Sequence, residues 1–250
     1  MPKVAAYVIL HYGKDYLSYA IRSVYDQVDE IFIFYTETPS HGTGQSIRCP
    51  DTERDLRRAA YEYDPQRKIQ FIKGRWNQEG EHRMAAYNFI KSQGRFDLCL
   101  LLDADEIWEA KGLEECIKDI YDHPHGQLLC WMKHLWRSFE YVCEDPMRQS
   151  RLSHLGAPID TVRYAPCAKP FIWHFGYARK LEDIQYKISI HGHKSEWRDP
   201  NWLDNKFKAW PPPADTHPTC VGFWNPVKMD KNELPEIMKS HPYFNLDPIV

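Results

Sequence analysis

The first hundred residues alternate between short apolar runs and segments with helical spacing. The apolar runs cover residues 4–10, 31–35, 69–72 and 98–102, and the helical segments cover residues 15–26, 51–63 and 79–93. Each run is short enough to be a buried strand, and a strand, a helix and a strand within about 30 residues form a βαβ unit. Such units pair their strands in parallel. The alternation therefore predicts a doubly wound α/β sheet covered by helices on both faces.

The alternation weakens after Trp108. A helix is predicted over residues 112–121 and a strand over residues 128–135. In the first half, Asp51 is the predicted N-cap of the helix at 51–63. From there to about residue 190 the sequence is irregular and rich in aromatic residues, Arg and His. Proline-rich loops, including residues 210–213, dominate the end of the chain. We expect one domain over residues 1–250 with an irregular C-terminal region.

Composition excludes several classes of protein. The formal net charge is -3 and no block of Lys or Arg is present, so nonspecific nucleic-acid binding is not indicated. The seven cysteines include no CxxC pair, which favours free thiols in a reducing compartment. No run approaches the ~20 apolar residues of a membrane span. We therefore expect a soluble cytoplasmic protein. Aromatic residues make up 14%, which fits either a ring-stacking site or a large aromatic core.

Three acids follow the most apolar run directly. Asp103, Asp105 and Glu106 come after Leu102, at the strand end where open α/β sheets bind ligands. In extended backbone the side chains of Asp103 and Asp105 point to one side, so together they can hold a Mn²⁺ or Mg²⁺ ion whose shell diphosphate oxygens complete. The alternative is a loop in which Asp103 caps the next helix and the other acids are solvated. Repulsion among three adjacent acids favours the metal interpretation.

The sequence around these acids resembles a known family. Residues 100–106, Leu-Leu-Leu-Asp-Ala-Asp-Glu, resemble the DxD segment of the GT-A glycosyltransferases, particularly family-2-like enzymes that read LDADE. Residues 40–43 resemble a degenerate StDgT loop, with His41 in place of the usual Asp. Arg83 matches a basic residue common on the preceding helix. Residues 173–179 resemble a segment that supplies a histidine to the metal in some members. The resemblance extends from residue 1 to about 190.

The resemblance implies a GT-A fold and a nucleotide-sugar donor, and we expect the nucleotide of that donor to be UDP. Residues 1–110 would form the donor half and residues 111–250 the acceptor half. His174 would join Asp103 and Asp105 on the metal, with His191 and His193 as alternative ligands. The residues expected to bind the donor are His11, Tyr12, Thr36, Glu37, Arg83, Asp103, Ala104 and Asp105.

The acceptor and the catalytic base are less constrained. A hexosyl or pentosyl group could pass to a glycan, a lipid, a protein side chain or a modified nucleic-acid base, since each of these can carry an acceptor hydroxyl. An inverting transfer needs a carboxylate near the acceptor. The candidates are Glu140, Glu144, Asp145 and Asp160, of which Glu144 and Asp145 are adjacent in sequence and are the predicted base. A retaining transfer would require none.

Two other functions compete with this one. A nucleotidyltransferase would open with a Gly-rich loop and a basic residue after the first strand, where this chain offers only Gly13 and Lys14. A nucleotide-sugar-binding protein without catalysis would have no reason to keep three crowded acids together.

Overall fold

The computed structural model describes residues 1–39, 47–165, 172–191 and 194–249. Its strands, in chain order, are β1 (Val4–Leu10), β2 (Glu30–Thr36), β3 (Ile69–Gly74), β4 (Leu98–Leu101), β5 (Glu106–Trp108), β6 (Gln127–Cys130), β7 (Met132–Trp136), β8 (Tyr141–Glu144), β9 (Gln149–His154), β10 (Val162–Tyr164), β11 (Ile172–Tyr177) and β12 (Val227–Lys228). Its α-helices are α1 (Lys14–Val24), α2 (Glu53–Ala60), α3 (Glu79–Ser92), α4 (Ala110–Asp122) and α5 (Leu181–Ser189).

These strands form two mixed sheets. The first has the order β10-β6-β9-β4-β1-β2-β3, and its neighbours β4, β1, β2 and β3 run parallel. β9 lies antiparallel between β4 and β6. The second sheet has the order β12-β8-β7-β11-β5. The predicted mixed α/β class is confirmed, and strands from both halves of the chain share the first sheet.

Helices cover both faces of the first sheet, as the apolar runs predict. Side chains of a strand alternate between its faces. Val4, Ala6 and Val8 of β1 therefore pack in a cluster with residues of α1, α2 and α4. Ala5 and Tyr7 point the other way and pack in a second cluster with residues of α3. Burial on both faces explains why these strands read as continuous apolar runs.

The second half of the chain is more regular than its sequence predicts. The single strand expected over residues 128–135 is wrong: Trp131 separates β6, in the first sheet, from β7, in the second. The expectation of an irregular segment up to residue 190 is also wrong, because this segment contains β8, β9, β10, β11 and α5. Polar and apolar residues mix in β9 and β10 because these two strands are buried only in part. Beyond residue 190 the described chain contains one two-residue strand and short helical turns.

Most of the aromatic richness belongs to the core. Trp136, Tyr177, Trp202, Phe207 and Trp224 form a third buried cluster beneath the second sheet. The rings of Trp136 and Tyr177 stack with their centroids 5.5 Å apart, within the range that aromatic pairs prefer. Of the two explanations for the aromatic content, a large aromatic core accounts for these residues.

Two expectations from composition concern thiols and membranes. The cysteines in the described part of the chain are free, as predicted. In that same part, none of the helices has the length and apolar character needed to cross a membrane.

Asp51 caps a different helix from the one predicted. Thr52, not Asp51, is the N-cap of α2, where it forms a capping box with Asp55. Asp51 Oδ2 instead accepts hydrogen bonds from the backbone N–H groups of Gly13, at 2.6 Å, and Lys14, at 3.0 Å. Asp51 thereby satisfies donors at the N-terminus of α1, which has no side-chain cap of its own.

We expect Asp51→Ala to lower the free energy of unfolding by about 1–2 kcal/mol, the usual cost of losing a helix cap. Asp51→Asn keeps an acceptor oxygen at the same place and serves as the matched control, with a loss under about 1 kcal/mol because the exposed partner Lys14 contributes little. Urea denaturation followed by circular dichroism measures both. Equal losses in the two variants would contradict the capping role.

Candidate functional site

A pocket of about 220 Å³ opens where β1 and β4 end side by side. β2 and β3 extend the sheet on one side of β1 and β4 lies on the other, so the strand order reverses here. Ligands of open α/β sheets bind outside the strand ends at such a switch point. The pocket walls come from the ends of β1 and β4 and from α3, α5 and β11. They include Tyr12, Arg83, Asp103, Asp105, Arg179 and Lys187.

Residues 103–106, here called the acidic turn, connect β4 of the first sheet to β5 of the second. Arg151 on β9 pairs with two of its acids. Its Nη2 lies 2.9 Å from Asp103 Oδ2, and its Nε lies 2.9 Å from Glu106 Oε2. Glu106 is fully buried, and burial raises its pKa to about 7 although Arg151 acts in the opposite direction. The buried guanidinium therefore relieves the repulsion between neighbouring acids.

Asp105 has a separate partner. Arg179, which follows β11 and is buried, donates from Nη2 to Asp105 Oδ2 at 3.0 Å. Burial disfavours the carboxylate, but the positive charges of Arg179 and Lys187 and the adjacent His174 outweigh it, so the pKa of Asp105 lies well below its usual range. Crowding of the three acids is thus resolved by two arginines of the chain itself, and crowding alone is no evidence for a metal.

Gly13 allows α1 to approach the acidic turn closely. Its φ of +120° is a conformation that side chains disfavour, and a Cβ there would lie 3.4 Å from Ala104 Cβ and 3.4 Å from Arg179 Nη2. Ala104, the small residue between the two aspartates, lines the pocket. Two small residues therefore bring the helix terminus and the acidic turn into contact.

Lys187 places a second cation beside Asp105. Its Nζ donates to the carbonyl oxygen of Gly176 at 3.2 Å and lies 4.5 Å from the centroid of the Tyr177 ring. Burial lowers the pKa of Lys187, while Asp105 raises it. A Cβ at residue 176 would lie 2.8 Å from Lys187 Nζ and would overlap His174, so Gly176 is required for both side chains to fit.

His174 faces Asp105 across the pocket. Its Nε2 lies 3.5 Å from Asp105 Oδ1, and its Nδ1 lies 2.9 Å from Nδ1 of His134 on β7. Nε2 of His134 in turn lies 3.2 Å from Oδ2 of Asp145, but the two groups are not aligned for a hydrogen bond. Burial lowers the pKa of His174 and of His134. Four side chains therefore lie near one another from Asp145, just after β8, to the pocket, and a hydrogen bond joins the two histidines among them.

The predicted donor-binding residues are only partly brought together. His11 and Tyr12 line the pocket, and His11 Nδ1 lies 3.0 Å from the carbonyl oxygen of Thr36. The hydroxyl of Thr36 is buried and donates to the backbone of Thr38. Glu37 lies outside the described lining of the pocket, with its largely exposed carboxylate 3.1 Å from Lys73 Nζ. Their roles in donor binding stay predictions.

Arg83 lines the pocket but does not pair with Asp103. It forms an ion pair with Glu79 one helical turn earlier on α3, and Arg151 occupies the position beside Asp103. Of the alternative metal ligands, His191 packs its ring 5.6 Å from that of Trp197. His193 and the loop at residues 40–43 lie outside the described residues.

The two predicted catalytic acids differ in environment. Glu144 is exposed at the end of β8. Asp145 is buried and accepts hydrogen bonds from the backbone N–H of Met147 and from Nε1 of Trp224. Neither is among the described side chains that line the pocket. A role as the base stays a prediction for both.

Sequence reasoning missed the four residues that set the charge and orientation of the site. Arg179 lies in residues 173–179, the segment that resembles the family, so the resemblance could have identified it as a site residue. Lys187 and His134 belong to α5 and β7, whose pairing with the pocket depends on the second sheet. Arg151 sits on β9, which no periodicity identifies, and it reaches the acidic turn only because β9 pairs antiparallel with β4.

The predicted metal ligands are not assembled as a trio. Across the residues that the structure describes, no group of three or more His, Cys, Asp and Glu side chains is arranged to hold a metal ion. Asp105 and His174 do face each other, whereas Asp103 is turned toward Arg151. The pocket thus presents one carboxylate and one imidazole as a facing pair.

Comparison with solved structures shows similarity at low sequence identity. S. aureus TarS 1-349 in complex with UDP is 12% identical with a TM-score of 0.45, covering 75% of this chain and 64% of that chain. Glucosyl-3-phosphoglycerate synthase from Mycobacterium tuberculosis, in complex with Mn²⁺, UDP and phosphoglyceric acid, is 11% identical with a TM-score of 0.35, covering 54% and 44%. No family profile and no curated protein matches the chain. The chain spans less than two thirds of either of these solved chains.

We expect Arg151→Met to lower the free energy of unfolding by about 3–5 kcal/mol, because it leaves the buried Glu106 without its partner. The matched control is Arg163→Met. Arg163 also sits on a strand and pairs with an aspartate, Asp119, but it is one-third exposed, so the loss should stay under about 1 kcal/mol. Urea denaturation compares the two, and similar small losses would contradict the central role of Arg151.

Proposed function

We propose that the chain is a glycosyltransferase that moves one sugar, a hexose or a pentose, from a UDP-linked donor to an acceptor hydroxyl. The observation that carries the proposal is the convergence of Asp103 and Asp105 with Arg179 and Lys187 in one pocket at the switch point of the sheet. A pocket that holds both paired acids and fixed cations suits a ligand that carries a diphosphate and sugar hydroxyls.

Fixed cations supply the first requirement of the reaction. The leaving group is a nucleoside diphosphate, on which negative charge develops as the bond to the sugar breaks. Lys187 lines the pocket with its ammonium held between the Gly176 carbonyl and the Tyr177 ring, and Arg179 lies beside it. Preorganised cations in a largely buried site stabilise such charge without having to reorganise. In this proposal both contact the diphosphate.

The facing pair of Asp105 and His174 fits a Mn²⁺ or Mg²⁺ ion. Carboxylate oxygen is a preferred ligand of both ions, whereas imidazole nitrogen binds Mn²⁺ more readily than the harder Mg²⁺. These two acceptor atoms lie 3.5 Å apart. Asp105 and His174 would hold the ion, and Asp103 stays a predicted ligand. When bound, a divalent cation offsets the charge of the departing diphosphate.

The remaining pocket residues would position the two ends of the reaction. His11 and Tyr12 close the side of the pocket at the end of β1, and the ring of Tyr12 packs edge-on against Tyr186 at 5.3 Å. We propose that they border the nucleotide, with Thr36 and Glu37 further out. The acceptor, which a glycan, lipid, protein or modified base could supply, would enter from the side formed by residues 111–250, where Glu144 and Asp145 are the candidate bases.

UDP binding tests the donor proposal and the metal together. In titration calorimetry, Mn²⁺ should tighten UDP binding to the wild-type chain by about tenfold or more, or about 1.4 kcal/mol. Asp105→Asn should abolish most of this gain, because it removes the charge that faces the cation. Asp122→Asn, an exposed aspartate on α4, is the matched control and should behave as wild type. UDP affinity that neither Mn²⁺ nor Asp105→Asn changes would refute metal dependence.

Hydrolysis of a panel of nucleotide-sugars then distinguishes catalysis from binding, because it needs no acceptor. Release of UDP and free sugar supports a glycosyltransferase. Consumption of a nucleoside triphosphate with a sugar phosphate, releasing pyrophosphate, would instead support the nucleotidyltransferase alternative.

The fixed cation has its own test. Lys187→Met keeps the length of the side chain but removes a charge-assisted contact worth about 1.5–3 kcal/mol, so UDP should bind about 10- to 150-fold more weakly. Lys118→Met, at an exposed lysine on α4, is the control and should leave binding unchanged. If Lys187→Met bound UDP as tightly as the control, the ammonium would not contact the diphosphate.

A further inference from the structure

We propose that a cleft beside Arg148 binds the anionic group of an acidic saccharide, a carboxylate or a phosphate, and so holds the acceptor of the transfer. This arginine cleft has a volume of about 430 Å³ and is lined by Leu129, Trp131, Pro146, Arg148 and Tyr164. Its role as an acceptor site rests on the proposed function. The binding of an acidic sugar does not depend on the donor.

Two aromatic rings hold the guanidinium of Arg148. Its Cζ lies 4.1 Å from the centroid of the Trp131 ring and 4.7 Å from that of the Tyr164 ring. Both distances are within the ~6 Å over which a cation is attracted to the face of a ring. A guanidinium that stacks on rings keeps N–H groups at its edge, in a planar fork that matches a carboxylate or a phosphate.

The charge of Arg148 is not balanced by the described part of the chain. There its guanidinium contacts rings and no carboxylate. Arg163 on β10, by contrast, pairs with Asp119. The buried acid closest to Arg148 in sequence, Asp145, accepts hydrogen bonds from other groups. The cation is therefore available to an anion from outside the chain.

The arginine cleft lies at the same edge of the first sheet as the pocket at the acidic turn. β9 is antiparallel to both β4 and β6, and β10 is parallel to β6, so β4, β6 and β10 run in one direction. Tyr164 ends β10, Trp131 follows β6, and Arg148 precedes β9. All three residues therefore lie at the edge where β4 continues into the acidic turn.

The strand order sets the separation of the two sites. β9 and β6 follow β4 in the sheet, and β10 comes next. With neighbouring strands about 4.8 Å apart, the end of β6 lies about 10 Å from the end of β4, and the end of β10 about 14 Å. This span suits an acceptor of two or more sugar units, with the reacting hydroxyl near the acidic turn and the anionic group on a neighbouring unit.

The lining favours a saccharide over a nucleic acid. Tyr164 is 60% exposed, so its ring offers apolar surface to the C–H groups of a sugar. A phosphate backbone is bound by several Lys and Arg side chains together. Among the described residues that line this cleft, Arg148 is the one cation. A single fixed guanidinium matches a single anionic group.

Proton–nitrogen NMR of the tryptophan indole groups tests the site without a donor. Methyl glucuronide and glucose 6-phosphate should shift the signal of Trp131, which Trp131→Phe assigns. Neutral methyl glucoside should bind at least about tenfold more weakly, because it makes no charge-assisted contact. The two acidic sugars distinguish a carboxylate from a phosphate as the preferred group.

Two results of this titration would overturn the inference. One is equal affinity for the neutral and the acidic sugars, which would exclude recognition of charge. The other is inorganic phosphate that binds as tightly as glucose 6-phosphate, which would exclude recognition of the sugar.

Variants of Arg148 test the residue itself. Arg148→Met removes the charge and should weaken binding of the acidic sugars at least about tenfold, whereas Arg148→Lys keeps the charge without the planar fork and should fall between Arg148→Met and wild type. Arg54→Met, at an exposed arginine on α2, is the matched control and should bind as wild type. Circular dichroism checks that each variant is folded. Methyl glucuronide bound equally by Arg148→Met and wild type would contradict the assignment.

The outcomes separate this inference from the proposed function. Wild type that bound UDP but neither acidic sugar would overturn the inference and leave the donor proposal standing. Wild type that bound an acidic sugar but no UDP would instead refute the proposed donor and keep the arginine cleft as a saccharide site. A single-stranded oligonucleotide that bound through Arg148 more tightly than both acidic sugars would assign the cleft to a nucleic acid and overturn the saccharide.

Discussion

The buried guanidinium of Arg151 is the interaction on which the rest of the site depends. It holds Asp103 and Glu106 at the turn that connects the two sheets. Three carboxylates so close together raise one another's pKa. Arg151 counteracts this effect, although burial still raises the pKa of Glu106 to about 7. With the repulsion relieved, Phe175 N–H can donate to the Asp105 carbonyl oxygen at 2.8 Å and join the turn to β11. His174 and Arg179 then follow on the same strand and its continuation.

The division of charge gives the pocket its chemical character. Arg151 serves structure, since it is buried behind the turn, while Lys187 and Arg179 border the pocket itself. Cations that belong to the chain are present whether or not a divalent ion is bound. The described lining carries three acids, Glu79, Asp103 and Asp105, and three bases, Arg83, Arg179 and Lys187, so its formal charge is balanced. In the proposed function a metal ion would supply the excess of positive charge.

The sequence predicts the parallel half of the fold well because its strands are buried on both faces and read as uninterrupted apolar runs. It also places the acidic turn correctly at the end of β4, since the acids directly follow the apolar run in the sequence. It fails at β9, whose residues Gln149–His154 are only half-buried, and at the switch of sheets at Trp131. Arg151, His134 and Lys187 reach the site through pairings between distant segments, which local periodicity does not encode. The prediction that Asp51 caps the helix at 51–63 fails for the same reason, since its partners Gly13 and Lys14 are far away in sequence.

The acidic turn also fixes its own length. β4 ends at Leu101 and β5 begins at Glu106, so only residues 102–105 connect the two sheets. Adding or removing one residue here would change the distance from Glu106 to Arg151, which the pairing of β9 with β4 holds in place. The spacing of the acids therefore depends on the distance between the ends of β4 and β5. An insertion within the turn would therefore disturb the contacts that join the two sheets.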